Sequence, residues 1–219
     1  RKKLRQLLPF FRFKEEKSMS EIDLFFAKLA NQLRESCGSF FTPIFKNYTF
    51  LGNSGWFFVL FAFILLWFKK TRILSLTLLL GMLFGFLLTN VLLKNIVARD
   101  RPFMDESSVY YQYWTLAGSL KESGYSLPSG HSTVSMVFGS IMLIFFKKKY
   151  SWLFLFVPLL MGFTRIYFMV HYFSDVLLGW TIGAICGVSA YFMMKELIKK
   201  EKVRKFFFLE KREEVKKDA

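Results

Sequence analysis

Three short stretches carry the residues able to do chemistry: KNIVARDRP (Lys94 to Pro102), LPSGHS (Leu127 to Ser132) and GFTRIYFMVHYFSD (Gly162 to Asp175). They supply the candidate cations Lys94, Arg101 and Arg165, the candidate carboxylate Asp175, and His131 and His171, the only two histidines of the chain. Arginine presents a planar fork of donors to phosphate oxygens, and lysine adds a point charge. Ser129 and Gly130 precede an apolar run, where the free N–H groups and dipole of a helix start would attract an anion. His171 and Asp175 are four residues apart, which one helical face would bring together. The carboxylate would then fix the imidazole tautomer and leave the other ring nitrogen free to attack. Arg165, six residues before His171, joins them only if the helix turns or ends in between, or if its long side chain reaches around. Singly, these residues have ordinary readings, an interfacial histidine or a snorkelling arginine. All of them at one membrane face point to phosphate chemistry, because ionisable groups in an apolar setting need a function.

The elements that must position them are apolar. The 219 residues are 53% hydrophobic and include 29 phenylalanines, yet the formal net charge is +15, with apolar blocks separated by basic clusters. A span needs about 20 apolar residues, and five blocks approach this: about 50–68, 73–93, 130–146, 151–170 and 174–194. An ordinary soluble domain is excluded, since too little polar surface remains to cover five such blocks. The last block carries Gly179, Gly183, Ala184, Gly187 and Ser189, small residues that let helices approach closely. Cys37 and Cys186 suggest neither a disulfide framework nor a metal site. The expected fold is all-α, a polytopic membrane helical bundle of about five to six spans.

Basic residues mark the cytoplasmic side. Lys69, Lys70 and Arg72, then Lys147 to Lys149, then Lys195, Lys199, Lys200, Lys202, Arg204 and Lys205 fall on one face. The loop 94–131 is charge-balanced and is expected outside, with the histidines. Three regions follow: residues 1–49 as a basic arm and amphipathic interfacial segment, 50–195 as the transmembrane domain, and 196–219 as a charged cytoplasmic tail. The tyrosines and tryptophan of VYYQYW (Val109 to Trp114) are expected at headgroup level. The chain begins with arginine, and a segment removed upstream is an expectation left open.

K-x6-R-P over Lys94 to Pro102, P-S-G-H over Pro128 to His131, and R-x5-H-x3-D over Arg165 to Asp175 resemble the three-part signature of the type 2 phosphatidic acid phosphatase (PAP2) family. Thr164 stands where the family usually has serine. The resemblance implies a core like that of vanadium haloperoxidases and membrane lipid phosphatases. It implies that His171 forms a phosphohistidine with Asp175 orienting it, that His131 protonates the leaving group and later activates water, and that Lys94, Arg101, Ser129, Gly130 and Arg165 hold the phosphoryl oxygens. No cofactor, metal or nucleic-acid partner is expected.

The resulting expectation is a phosphatase acting on a lipid phosphate or diphosphate (polyprenyl diphosphate, phosphatidylglycerol phosphate, phosphatidate or lipid A type) in the outer leaflet of a bacterial inner membrane. A lipid phosphotransferase with the same intermediate and a non-catalytic lipid-phosphate binder are the rivals. If one histidine attacks as the neutral base and the other donates as the acid, turnover peaks between their apparent pKa values.

Overall fold

The computed structural model describes residues 21–201 and 203; the basic arm before residue 21 and most of the expected tail lie outside the described residues. Among those described there is no strand, and the helices form one bundle. Helix α1 is Glu21–Leu51, bent at Cys37, and α2 is Trp56–Trp67. Helix α3 starts at Arg72 and continues from Phe86 through a π-helical stretch, Leu87–Leu93, into Lys94–Val97. Short α4, Val109–Leu116, precedes α5, Gly130–Phe146, α6, Phe156–Tyr167, and α7, Phe173–Leu197.

Two segments are long and apolar enough to cross a membrane, Lys69–Met104 and Phe173–Leu197, or three if bent α1 and α2 form one span. Helices α5 and α6 are apolar but shorter. The first expected span, 50–68, differs most: its helix has 12 residues, set off from α1 by a break at Gly52–Gly55. Large apolar side chains such as Trp67, Leu159, Ile185 and Phe192 face outward, as a bundle surrounded by hydrocarbon requires.

Capping explains the sharp turn between α2 and α3. The last carbonyls of a helix have no intrahelical partner; here Thr71 Oγ1 donates to Leu65 O at 2.6 Å and Arg72 Nε to Leu66 O at 3.2 Å. Ser75 Oγ then reaches across to Ala62 O at 2.6 Å. The π-helical stretch of α3 turns buried Thr89 toward Thr133 of α5, with 3.2 Å between the hydroxyl oxygens, and delivers Lys94 at its end.

Helix α5 is the centre, packed against α3, α6 and α7. A Cβ on Gly179 would lie 2.6 Å from Ser129 O, and one on Gly183 would lie 2.4 Å from Thr133 O. Gly179, Gly183 and Gly187, four apart, thus form the face of α7 that lies on the backbone of α5. This close approach brings the start of α5 beside the start of α7, where Ser129 N donates to Asp175 O at 3.1 Å.

The chemistry-bearing residues sit at the end of α3, the start of α5, the end of α6 and the start of α7. The clusters Lys69 to Arg72, Lys147 to Lys149 and Lys195 to Lys200 occupy the opposite ends of α3, α5 and α7.

Candidate active site

Helix α6 ends two residues after Arg165, and a turn with Met169 at φ 52° carries the chain to His171. This resolves the six-residue spacing: Arg165 is in the last helical turn and His171 lies beyond it. The expected shared helical face for His171 and Asp175 is not how they meet. Helix α7 starts at Phe173, and Asp175 lies in its first turn with Oδ2 accepting from Tyr172 N at 2.9 Å. His171 stands just before that helix, Nδ1 3.4 Å from Asp175 Oδ2.

On the other side of the ring, Arg101 Nη1 is 3.3 Å from His171 Nε2. A guanidinium has no acceptor, so Nε2 must accept and Nδ1 carries the hydrogen toward Asp175. Arg101 is nearly saturated: Nε donates to Gly124 O at 2.9 Å, Nη2 to Ser123 O at 2.8 Å and Nη1 to Val170 O at 2.8 Å. It straps the loop before α5 onto the turn that holds His171. Burial drives the His171 pKa down from 6.5 to about 4, Asp175 opposing only in part. The imidazole is therefore neutral at pH 7.

Arg165 has no exposed surface. Its Nη1 donates to Thr49 Oγ1 at 2.6 Å, Nη2 pairs with Glu122, and buried Nε has no partner among the described residues. Lys94 is half-buried, within electrostatic range of Arg101, Glu122, Arg165 and Asp175. Ser129 is fully buried and caps α5, accepting from Ser132 N at 3.4 Å and from Ser132 Oγ at 2.9 Å. Gly130 opens that helix. His131, next along, has Nε2 3.1 Å from Asn53 Oδ1, and lies in the field of Arg165, His171, Lys94 and Arg101. Room for its ring depends on Gly52, where a Cβ would fall 2.5 Å from His131 Cδ2.

The structure also adds residues that the sequence did not single out. Arg99 Nη1 donates to Asp175 Oδ1 and to Ser174 Oγ, both at 2.7 Å, and its guanidinium lies 3.9 Å from the centre of the Tyr172 ring. Ser126 Oγ donates to Asp175 Oδ2. Asp23, at the start of α1, accepts from Ser174 N at 2.7 Å and from Arg99 Nη2 at 3.2 Å. Residues 21–51 therefore reach the site twice, through Asp23 and Thr49. Thr164 contacts none of this: its hydroxyl donates to Met161 O at 2.7 Å within α6. VYYQYW also departs from a simple headgroup belt, because Tyr110 is buried against Tyr172 and Trp114 stacks on Phe103 at 4.8 Å. Among the described residues, no three His, Cys, Asp or Glu side chains converge to hold a metal.

An all-helical membrane bundle with cations, two histidines and a carboxylate gathered at one end defines a class, the membrane proteins with a phosphate-type site. Residues 73–199 match the PAP2 superfamily, and the chain belongs to it. It is 30% identical over 122 residues to an undecaprenyl-diphosphatase of Sulfolobus acidocaldarius, covering 55% of each chain. It is 29% identical over 111 residues to a lipid A 4'-phosphatase of Bacteroides thetaiotaomicron, covering 49% of this chain and 48% of that protein. The chain thus spans about half the length of these relatives. In fold it is similar to the transmembrane PAP2-type phosphatidylglycerolphosphate phosphatase of Bacillus subtilis, with TM-score 0.65 at 22% identity, covering 89% of this chain and 92% of that one. LpxE of Aquifex aeolicus gives TM-score 0.61 at 23% identity, with 80% and 97% covered.

Proposed function

We propose that this protein is a phosphatase that removes a terminal phosphate from a membrane lipid through a phosphohistidine on His171. The observation that carries the proposal is the line Arg101, His171, Asp175: a neutral imidazole oriented by a carboxylate through Nδ1, its Nε2 lone pair beside a guanidinium. A binding site needs cations; it does not need a nucleophile held in one tautomer.

In the proposed first step His171 Nε2 attacks phosphorus as the bond to the leaving oxygen breaks, and His131 donates its Nε2 proton to that oxygen. Asp175 stabilises the positive charge left on the imidazole. Arg165 and Lys94, with the N–H groups at the start of α5, take the charge spreading over the phosphoryl oxygens. In the second step His131 removes a proton from water, which attacks phosphorus; the P–N bond breaks and inorganic phosphate leaves. No step is routed through a metal.

The substrate class is a lipid bearing a terminal phosphate or diphosphate, supported by the undecaprenyl-diphosphatase and lipid A 4'-phosphatase relatives. The basic clusters at the far end of the bundle support an active site on the extracytoplasmic side of a bacterial inner membrane. The test is release of inorganic phosphate from a panel of lipid phosphates by detergent-purified protein in EDTA, comparing the intact chain with His171→Ala. Release abolished by the substitution supports the reading. Equal release from both sinks it, and phosphate found on a second lipid would make the protein a transferase.

A further inference from the structure

Glu122 has no part in the mechanism above, yet it sits on Arg165, one of the cations proposed to hold the phosphoryl group. It comes from the loop between α4 and α5 and pairs with Arg165 Nη2 through Oε1, while Oε2 lies 3.8 Å from Arg101 Nη2. Burial alone would push its pKa up, but Arg165 and then Arg101 hold it below the ordinary carboxylate value, so it is charged at neutral pH. Its side chain is 21% exposed against 0% for Arg165, so it lies on the solvent side of the guanidinium. That position is the approach to the one donor set of Arg165 that Thr49 does not take, Nη2 and the unpartnered Nε. Beside it a cavity of about 190 Å³ is lined by Lys46, Thr49, Asn53, Lys121 and Glu122 among others.

We propose that Glu122 is a tethered competitor for the phosphoryl subsite: it raises the dissociation constant of every phosphate ligand by one common factor, a threshold that terminal phosphate dianions overcome and monoanionic phosphodiester headgroups do not. This rests on the phosphatase reading above. A tethered carboxylate carries one charge and two acceptor oxygens at an effective concentration in the millimolar range or above. A phosphodiester offers one charge and two free oxygens, so it gains nothing over the group it must remove. A phosphomonoester carries close to two charges at pH 7, its second pKa being about 6. It also has three free oxygens, enough for Nη2 and Nε of Arg165 and for Lys94. Once displaced, the carboxylate finds Lys46 and Lys121 in the cavity wall. The consequence suits an enzyme in a bilayer, where phosphodiester headgroups crowd every site that binds phosphate.

The experiment is calorimetric titration of the detergent-solubilised full chain with orthophosphate and with dimethyl phosphate at pH 7.5. The wild type is compared with Glu122→Gln, Glu122→Asp and Arg165→Ala. Glu122→Gln should tighten both ligands by a similar factor, roughly tenfold, so that dimethyl phosphate, too weak to displace the carboxylate in the wild type, becomes measurable. Glu122→Asp withdraws the charge by one methylene and should move both affinities the same way by less; it carries the test if the Gln variant does not fold. Unchanged or weaker orthophosphate binding in these variants would show that Glu122 only orients Arg165 and would overturn the inference. Orthophosphate binding that is absent from wild type, or indifferent to Arg165→Ala, would instead remove the phosphate site itself and the inference with it.

Discussion

Arg99 donates to Asp175 Oδ1 at 2.7 Å, on the carboxylate oxygen opposite the one that faces His171. The Asp175 carboxylate is thereby held from both sides, by Arg99 on Oδ1 and by Ser126 and Tyr172 N on Oδ2. Arg99 touches neither the imidazole nor the phosphate subsite, so it acts through Asp175 as a positioning residue. Arg99→Ala should lower kcat by about tenfold to a hundredfold, equivalent to about 1.4–2.7 kcal/mol of barrier, with KM nearly unchanged. Arg99→Lys should recover part of it by restoring the charge. A rise in KM at constant kcat would assign Arg99 to substrate binding instead.

The buried His171 predicts where the acid limb of activity falls. With its pKa at about 4, the proposed nucleophile stays neutral well below pH 6.5, and its own acid limb should lie near pH 4, below the limb near pH 6 that the second ionisation of a phosphate substrate imposes on kcat/KM. Stability carries the same signature with a definite sign. Between about pH 4 and 6.5 the unfolded chain binds a proton at this position and the folded chain does not, so stability falls as pH falls through that window. Above pH 6.5 the term vanishes because both states are neutral. The loss is on the order of 3 kcal/mol. Thermal aggregation in detergent should be steeper with pH from 6.5 to 4 for the wild type than for His171→Gln; identical slopes would show that His171 is not the group responsible.

Much of the site is legible in the sequence because its residues fall in short segments with tight spacing. The start of α5 could be read from Ser129 and Gly130 before an apolar run, and Ser129 does cap that helix. What could not be read came from distant parts of the chain. Thr49 and Asn53 meet Arg165 and His131 across 116 and 78 residues, and no local pattern encodes such a pairing. Glu122 looked like one of the charges that balance an outer loop. Arg99 had a signal, lying two residues before Arg101, but its partner is fixed only by the packing of α7. The glycine stripe was legible as a class, whereas the selection of Gly179, Gly183 and Gly187 over Ala184 and Ser189 depends on which face of α7 meets α5.

Asn53 holds His131 Nε2 at 3.1 Å, on the nitrogen whose proton the leaving oxygen would take. General-acid assistance matters most when the leaving group is a poor one and typically contributes 10²–10⁴-fold. His131→Ala should therefore lose about that factor in kcat/KM on an alkyl lipid phosphate and far less in kcat/KM on an aryl phosphate, whose phenolate leaves unaided. Because water activation is also impaired, phosphate should accumulate on His171 when the aryl ester is used, visible as an acid-labile, base-stable label. Asn53→Ala should show the same leaving-group dependence in weaker form. Equal losses of kcat/KM on both esters would remove His131 from the role of acid.

Gly183 supplies the most direct test of how the bundle positions the site. A Cβ there would lie 2.4 Å from Thr133 O and 2.8 Å from Met136 Cβ, and the backbone oxygen cannot move aside without shifting α5. Overpacking of this kind typically costs about 1–3 kcal/mol. Its effect here should not stop at stability, because separating α7 from α5 also strains the contact from Ser129 N to Asp175 O at 3.1 Å. Gly183→Val should thus lower the thermal aggregation temperature and reduce kcat together. Ile185→Val, on the same helix but 59% exposed toward lipid, should change stability by less than about 0.5 kcal/mol. If Gly183→Val aggregated earlier yet retained full kcat, the close approach of α7 to α5 would serve stability alone and the two starts of helix would hold their register by other contacts.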